Sequence, residues 1–252
     1  MIDTILFNIF EYISLLFFGL CFGSFATFAG HRIFSETLSI KGARSVCPNC
    51  KKTLAKRTMV PLFSYIFYRG KCLFCKNKIS LRYPLIELGM GMCTMFIFYK
   101  FDYSLKTAAL MILCTCVFIQ IAIDVEYYMA SDFIDFIMLL AVAMLCYVDG
   151  KNVYDCVIFA FCGTIFMLFC RQIVMWRIGE DPLGIGDVKI VAVMAPLATS
   201  GLNLLTTMGL FGVIGIFFGT AWKKHTKSEA FPFAPPIMIA FLLNYFFLAR
   251  YY

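Results

Sequence analysis

Apolar residues along this chain fall in long, nearly unbroken runs, not in the three-and-four spacing of a surface helix or the alternation of a half-buried strand. Runs with few charges lie near 5–29, 84–99, 105–123, 133–149, 154–172, 188–202, 203–221 and 231–249. A hydrocarbon core of ~30 Å needs roughly 17–25 apolar residues in a helix, so each run predicts a crossing. The expected fold is an all-α polytopic membrane protein of about eight transmembrane helices, the runs at 84–99 and 188–202 being the shortest. The first run lacks a basic n-region and a small-residue cleavage site, and so predicts a retained helix and not a removable signal peptide.

One stretch interrupts this pattern. Residues 31–83 carry 12 of the 22 Lys and Arg and a single acid, Glu36. Basic residues in short loops resist translocation, which places this stretch in the cytoplasm. Eight alternating crossings then put 18 Lys and Arg inside and four outside, with both termini outside. The expected organisation is a first transmembrane helix over 1–30, a cytoplasmic basic domain over 31–83 and a seven-helix membrane domain over 84–252. Composition agrees: 62% of the 252 residues are hydrophobic and 15% are charged, where soluble domains carry roughly 25% charged residues. The net charge of +7 is then mainly topological. A basic face also attracts anionic lipid, but no aromatic-interleaved basic groove points to nucleic acid.

Within the basic stretch, Cys47 and Cys50 form one C-x-x-C and Cys72 and Cys75 another, about twenty residues on. Two such knuckles have the spacing of a tetrahedral four-thiolate zinc site. A loop of some fifty residues with few apolar side chains cannot bury a sufficient core unaided, so a metal staple makes physical sense. A pair of disulfides is the alternative, but the thiols lie in a reducing compartment. Four Cys ligands leave no open coordination position, which makes the zinc structural. The other eight cysteines lie singly in the apolar runs and read as small packing residues.

Ionisable residues bordering membrane helices are costly and are functional candidates by default. Asp124 closes the third run in "IQIAIDVEYYMASD" and Asp187 opens the sixth in "LGIGDVKI". The topology drawn from Lys and Arg puts both at the cytoplasmic edge. Two carboxylates together at a partly dry site do not both ionise easily, so one keeps a proton while the other polarises a water, the aspartic-protease arrangement. Gly184 and Gly186 would leave the backbone bare before Asp187 and let a peptide approach. The competing view of Asp187 is a plain helix N-cap behind a flexible turn. Asp132, a cap candidate after Ser131, and Asp135, one turn further in, compete with Asp124 as partner. Lys189 either tunes Asp187 or snorkels to the interface.

These pieces together resemble the type IV prepilin peptidases, the leader peptidase/N-methyltransferases, over about residues 19–240. "GSFATFAGHR" (23–32) is similar to that family's first-span ending, and "RSVCPNCKKTL" with "VPLFSYIFYRGKCLFCKNKISLRYPLIEL" follows its zinc-loop pattern. "IDVEYYMASD" (123–132) resembles its first aspartate motif, "GIGDVK" (184–189) its second and "FPFAPPI" (231–237) its last-span opening. Three departures stand out: Thr27 in place of the usual Asn, Ser131 in place of Pro and Ala234 in place of Gly. The resemblance implies Asp124 and Asp187 as catalytic acids and Cys47, Cys50, Cys72 and Cys75 as zinc ligands. It also implies a bacterial inner-membrane enzyme that cuts the short basic leader of type IV prepilins or pseudopilins after a glycine at the cytoplasmic face. Methylation of the exposed amino group, with S-adenosylmethionine as donor, is the second implied activity, and retention of the whole cysteine loop favours the bifunctional type. The competing classes are a proton- or cation-coupled carrier, with acids nearer mid-span, and a non-enzymatic pilus or secretion assembly factor whose basic zinc loop does the docking.

Overall fold

The computed structural model describes residues 2–34, 45, 47, 49–55, 58–179, 184–226 and 231–248. Parts of the predicted basic domain (35–44, 46, 48 and 56–57), together with Lys227 and Arg250 of the charge count, lie outside the described residues.

A helix occupies each of the eight apolar runs. In chain order these are α1 (Ile2–Phe34), α3 (Arg82–Phe101), α4 (Leu105–Tyr127), α5 (Asp132–Val148), α6 (Val153–Ile178), α7 (Ile185–Met194), α8 (Gly201–Thr226) and α9 (Ala234–Leu243). A short α2 (Phe63–Phe67) lies in the basic stretch. Among the described residues there is no strand, only one antiparallel bridge between Lys71 and Lys78. Among the described residues, four helices are long and apolar enough to cross a membrane: α1 along Ile9–Ile33, α4, α6 along Val153–Arg177, and α8. The chain is therefore an integral membrane protein. The other four are shorter or more polar. With a rise of ~1.5 Å per residue, α7 extends ~15 Å, half of a hydrocarbon core. Pro196 converts its end to a 3-10 turn over Ala195–Leu197, because proline offers no N–H to continue the ladder.

The chain forms two compact units, Met1–Ala122 and Ile123–Tyr252. In the first, α1 packs along α3 at a spacing only glycine permits. A Cβ on Gly19 would lie 2.7 Å from the Cα of Gly91, and one on Gly23 would lie 2.6 Å from the Cα of Glu87. Small residues four apart let membrane helix backbones approach this closely. Glu87, buried on α3, accepts the backbone N–H of Leu62 at 2.7 Å. Leu62 has a left-handed φ of 59°, and this bond ties the start of α2 to the helix pair.

In the second unit α7 packs against α5, α6 and α9. It is apolar nearly all round, with Val188, Ile190, Val191 and Met194 buried, as expected of an enclosed helix. A Cβ on Gly163 of α6 would lie 3.0 Å from Ala195 and 3.2 Å from Val191, so the glycine admits α7 close to α6. The far end of α7 is closed by Lys151, whose Nζ donates to the carbonyls of Pro196, Leu197 and Ala198 at 2.9, 2.7 and 2.9 Å. These are the carbonyls a helix end leaves without partners. Asn203 of α8 donates to the Asn244 Oδ1 at 2.6 Å, tying α8 to the chain just past α9.

Candidate active site and metal centre

Asp124 lies in the last turn of α4 and is only 8% exposed. A carboxylate there faces the negative end of its own helix dipole and needs donors from elsewhere. They come from the start of α9: the Ala234 N–H donates to Asp124 Oδ2 at 2.8 Å, and the Phe233 backbone N–H bonds the same carboxylate. Pro235 and Pro236 carry no N–H, so Phe233 and Ala234 supply the amides of this helix start that precede the prolines. Asp124 thus bridges the negative end of one helix and the positive end of another.

Asp187 is the third residue of α7, and the N-cap is Gly184. The plain N-cap view of Asp187 therefore gives way to a different local role. Its backbone N–H donates to the Gly184 carbonyl at 3.1 Å, and its half-buried carboxylate receives the Gly184 N–H. This is the reciprocal arrangement of a capping box, with Gly184 in place of Ser or Thr. Asp124 lies within electrostatic reach of Asp187. Two acids far apart in sequence are therefore brought within electrostatic reach of each other, each receiving backbone N–H at a helix start.

The two glycines differ in what requires them. A Cβ on Gly184 would have room, its nearest neighbour being Asp187 Oδ2 at 3.6 Å, whereas one on Gly186 would lie 2.6 Å from Ala130 Cβ. Gly186 seats the start of α7 against the α4–α5 connector. Lys189 donates to Asp132 Oδ1 at 2.7 Å, joining α7 to α5. Ser131 is the N-cap of α5 and makes no side-chain capping bond. Asp135 is buried, and neither of its oxygens has a hydrogen-bond partner. Sequence reasoning missed the amides of Phe233 and Ala234 and the three hydrogen bonds that Lys151 donates. Prolines at the first positions of a helix are a start signal, and "FPFAPP" carried that hint. Beside this turn runs a groove of about 400 Å³, walled by Phe211, Phe231 and Phe233, floored by Gly212, Gly215 and Gly219, with Lys223 at its edge.

In the first unit, the sulfurs of Cys47, Cys50, Cys72 and Cys75 lie within 4.8 Å of one another, and Cys47 and Cys75 are 3.8 Å apart. Four sulfurs around one ion at ~2.3 Å stand about 3.8 Å from each other. The Cys75 backbone N–H holds the Cys72 thiol down to about 6. Against the Asn77 backbone N–H, desolvation and the neighbouring thiols push Cys75 up to about 11. Four thiols this close do not all ionise without a cation among them, and the donor set fits a tetrahedral metal ion.

The family model described as the bacterial peptidase A24 N-terminal domain matches residues 17–101. The chain is 31% identical over 242 residues to a prepilin leader peptidase/N-methyltransferase of Bacillus subtilis (strain 168), covering 93% of this chain and 94% of that protein. It belongs to that family. Further members of the prepilin leader peptidase/N-methyltransferase family are similar across most of the chain. One from Stutzerimonas stutzeri is 28% identical over 204 residues, 78% of this chain and 69% of that one. One from Neisseria gonorrhoeae is 27% identical over 210 residues, 82% and 72% of the two. No solved structure matches the chain. The matched stretch, 17–101, takes in the tetracysteine cluster, α2, α3 and the second half of α1, and the two acids lie C-terminal to it.

Proposed function

We propose that this protein removes the leader of type IV prepilins or pseudopilins after a glycine, at the cytoplasmic face of the bacterial inner membrane. It then N-methylates the new terminus. Asp124 and Asp187 are the catalytic acids in this proposal. The observation that supports it is that these two carboxylates, at the end of α4 and the start of α7, lie within electrostatic reach of each other, with backbone N–H groups orienting each.

The pair shares one proton across a water. The ionised carboxylate takes a proton from the water as its oxygen adds to the scissile carbonyl, and the protonated acid donates to the carbonyl oxygen. Breakdown of the tetrahedral intermediate passes the proton taken from water to the leaving nitrogen and returns the proton on the former carbonyl oxygen to the other carboxylate, so the C–N bond breaks to a carboxylic acid and an amine and the pair again holds one proton. Fixed amide dipoles on Asp124 mean that little reorganisation accompanies the step. S-adenosylmethionine is the methyl donor we assign to the second activity. Zinc, held by Cys47, Cys50, Cys72 and Cys75, supplies a closed structural centre for the loop 31–83, since four thiolates leave no position for substrate. In the same proposal α3, α5, α7 and α9 bring the number of transmembrane helices to eight with the four long ones, and Gly184, Gly186 and Lys189 border the path of the substrate backbone. The carrier and scaffold alternatives have no comparable support, because the relatives are named as peptidases and methyltransferases.

The test is co-expression with a type IV prepilin and mass determination of the mature N-terminus. Cleavage after glycine with the added mass of one methyl group is expected from the wild type. Asp124→Asn and Asp187→Asn should each lose cleavage at near-normal protein abundance. Continued cleavage by both variants would refute the assignment.

A further inference from the structure

Asp135 has no part in the chemistry described above, and its surroundings are unusual. It lies on α5 three residues after Asp132, so the two carboxylates share one face about a turn apart. Lys189 of α7 sits on the outer of the two, its Nζ 2.7 Å from Asp132 Oδ1. Asp135, the inner one, is 6% exposed and both its oxygens lack a hydrogen-bond partner. Asp132 and Lys189 are both within electrostatic reach of it. The three side chains therefore form one cluster with two carboxylates and one ammonium. Burial of a carboxylate with no donor is costly, so it is retained where some state of the protein supplies the missing partner.

The cluster contains one donor within reach of that role, Lys189. The Lys189 and Asp132 side chains are 49% and 78% exposed, so the outer position opens to water, while the inner one does not. A lysine stem is flexible enough to move its ammonium by the length of one helical turn. If another cation occupies Asp132, Lys189 is free to turn inward and satisfy Asp135. The position on Asp132 already holds an ammonium, so its size and charge suit a second organic cation. A divalent metal ion would meet the charge of Lys189 at close range. Lys189 follows Asp187 by two residues on α7, so the cluster lies within one turn of that acid along the helix, on another of its faces.

We propose that Asp132, Asp135 and Lys189 form a subsite for a basic side chain of the substrate peptide. The incoming ammonium or guanidinium takes Asp132, and Lys189 moves inward onto Asp135. This rests on the peptidase function proposed above and adds to it a charge-selecting element. Asp135 touches no reacting atom in this scheme. It acts through Lys189, by making the exchange favourable.

The experiment uses the full-length protein reconstituted in lipid, with two prepilins that differ only before the cut, one carrying lysines there and the other glutamines. The wild type should prefer the lysine form by about tenfold in kcat/KM, mostly in KM, the scale of one good charge-assisted hydrogen bond. Asp135→Asn is isosteric and removes a buried charge, so it should fold and still cut both substrates, with the preference falling close to unity. Asp135→Glu should keep it. An undiminished preference in Asp135→Asn would overturn the inference, and so would an equal loss on both substrates, which marks a structural role. Cleavage by the wild type with no preference overturns this inference alone. Absence of cleavage of either substrate by the wild type overturns the peptidase proposal, and this inference with it.

Discussion

Gly186→Ala separates the role of this glycine in seating α7 from a role in clearing a path for substrate. The added Cβ would lie 2.6 Å from Ala130 Cβ, whereas non-bonded carbons settle at about 3.5–4.0 Å. The start of α7 and the α4–α5 connector must therefore part by ~1 Å. Ala130 cannot relieve the clash by a rotamer change, because its Cβ is fixed to the backbone. The connector follows directly on the turn that carries Asp124, and Gly186 is adjacent to Asp187, so the displacement opens the gap between the two acids. A misplacement of ~1 Å in a catalytic constellation costs on the order of 10²-fold in rate, while overpacking costs ~1–3 kcal/mol in stability. Leader cleavage over time in membranes, normalised to protein abundance, should fall by about 10²-fold. Gly184→Ala is the internal control: its φ of −61° suits alanine and its nearest neighbour would be 3.6 Å away. That change should lower cleavage far less than Gly186→Ala, because the added methyl has room and only the modest preference of an N-cap for glycine over alanine is lost. Near wild-type cleavage by Gly186→Ala, or greater damage from Gly184→Ala, would refute the packing explanation.

Two further outcomes follow from the same structure. Cys47→Ser or Cys72→Ser should lower abundance and zinc content together, since loss of one ligand removes metal-coupled folding free energy. Immunoblotting and metal analysis of purified protein check this, and stable protein with unchanged zinc would contradict a structural centre. Lys151→Met should strand three carbonyls at the end of α7 and cost about 2 kcal/mol, the range of charged hydrogen bonds. An unchanged thermal midpoint in detergent would show that water replaces the lysine without penalty.

The apolar runs located every main helix, because lipid-facing segments announce themselves through length and composition. The number of full crossings was less visible. α7 reads as part of an apolar run continuing to residue 202, yet Pro196 ends its regular ladder after ten residues and a 3-10 turn. The cysteine knuckles were plain from spacing alone, and their sulfurs converge as that spacing requires. Asp124 and Asp187 stood out as acids against an apolar background, and charge asymmetry placed them on the same face. Their supports could not be seen in the same way. The donors to Asp124 are backbone amides of Phe233 and Ala234, and an amide has no residue identity to recognise. Gly186 was noticed as a bare backbone, but only the fold gives the direction of its missing side chain, which is toward Ala130. Lys189 was a choice between tuning and snorkelling, and its bond to Asp132 made it a cross-helix tie.

The backbone support of the two acids has a consequence for how this site tolerates sequence change. A carboxylate fixed by side-chain donors is lost when a donor mutates, whereas Asp124 and Asp187 depend on where two helices begin. For Asp187 the start is set by Gly184 at the N-cap, and for Asp124 by Pro235 and Pro236, whose fixed φ favours the first helical turn. Ala234 stands where the resembled family has glycine. The group used there is the main-chain N–H, which both residues possess, so the bond to Asp124 survives the exchange. The same logic covers Ser131 in place of proline at the start of α5: Ser131 occupies the N-cap without a side-chain capping bond, so its hydroxyl is not what holds the helix start. Positions that set a helix start or a close approach are therefore constrained by the site itself, whereas at the residues that lend it only an amide the limit is side-chain packing: Ala234 is buried and Phe233 packs on Phe211 and Phe231.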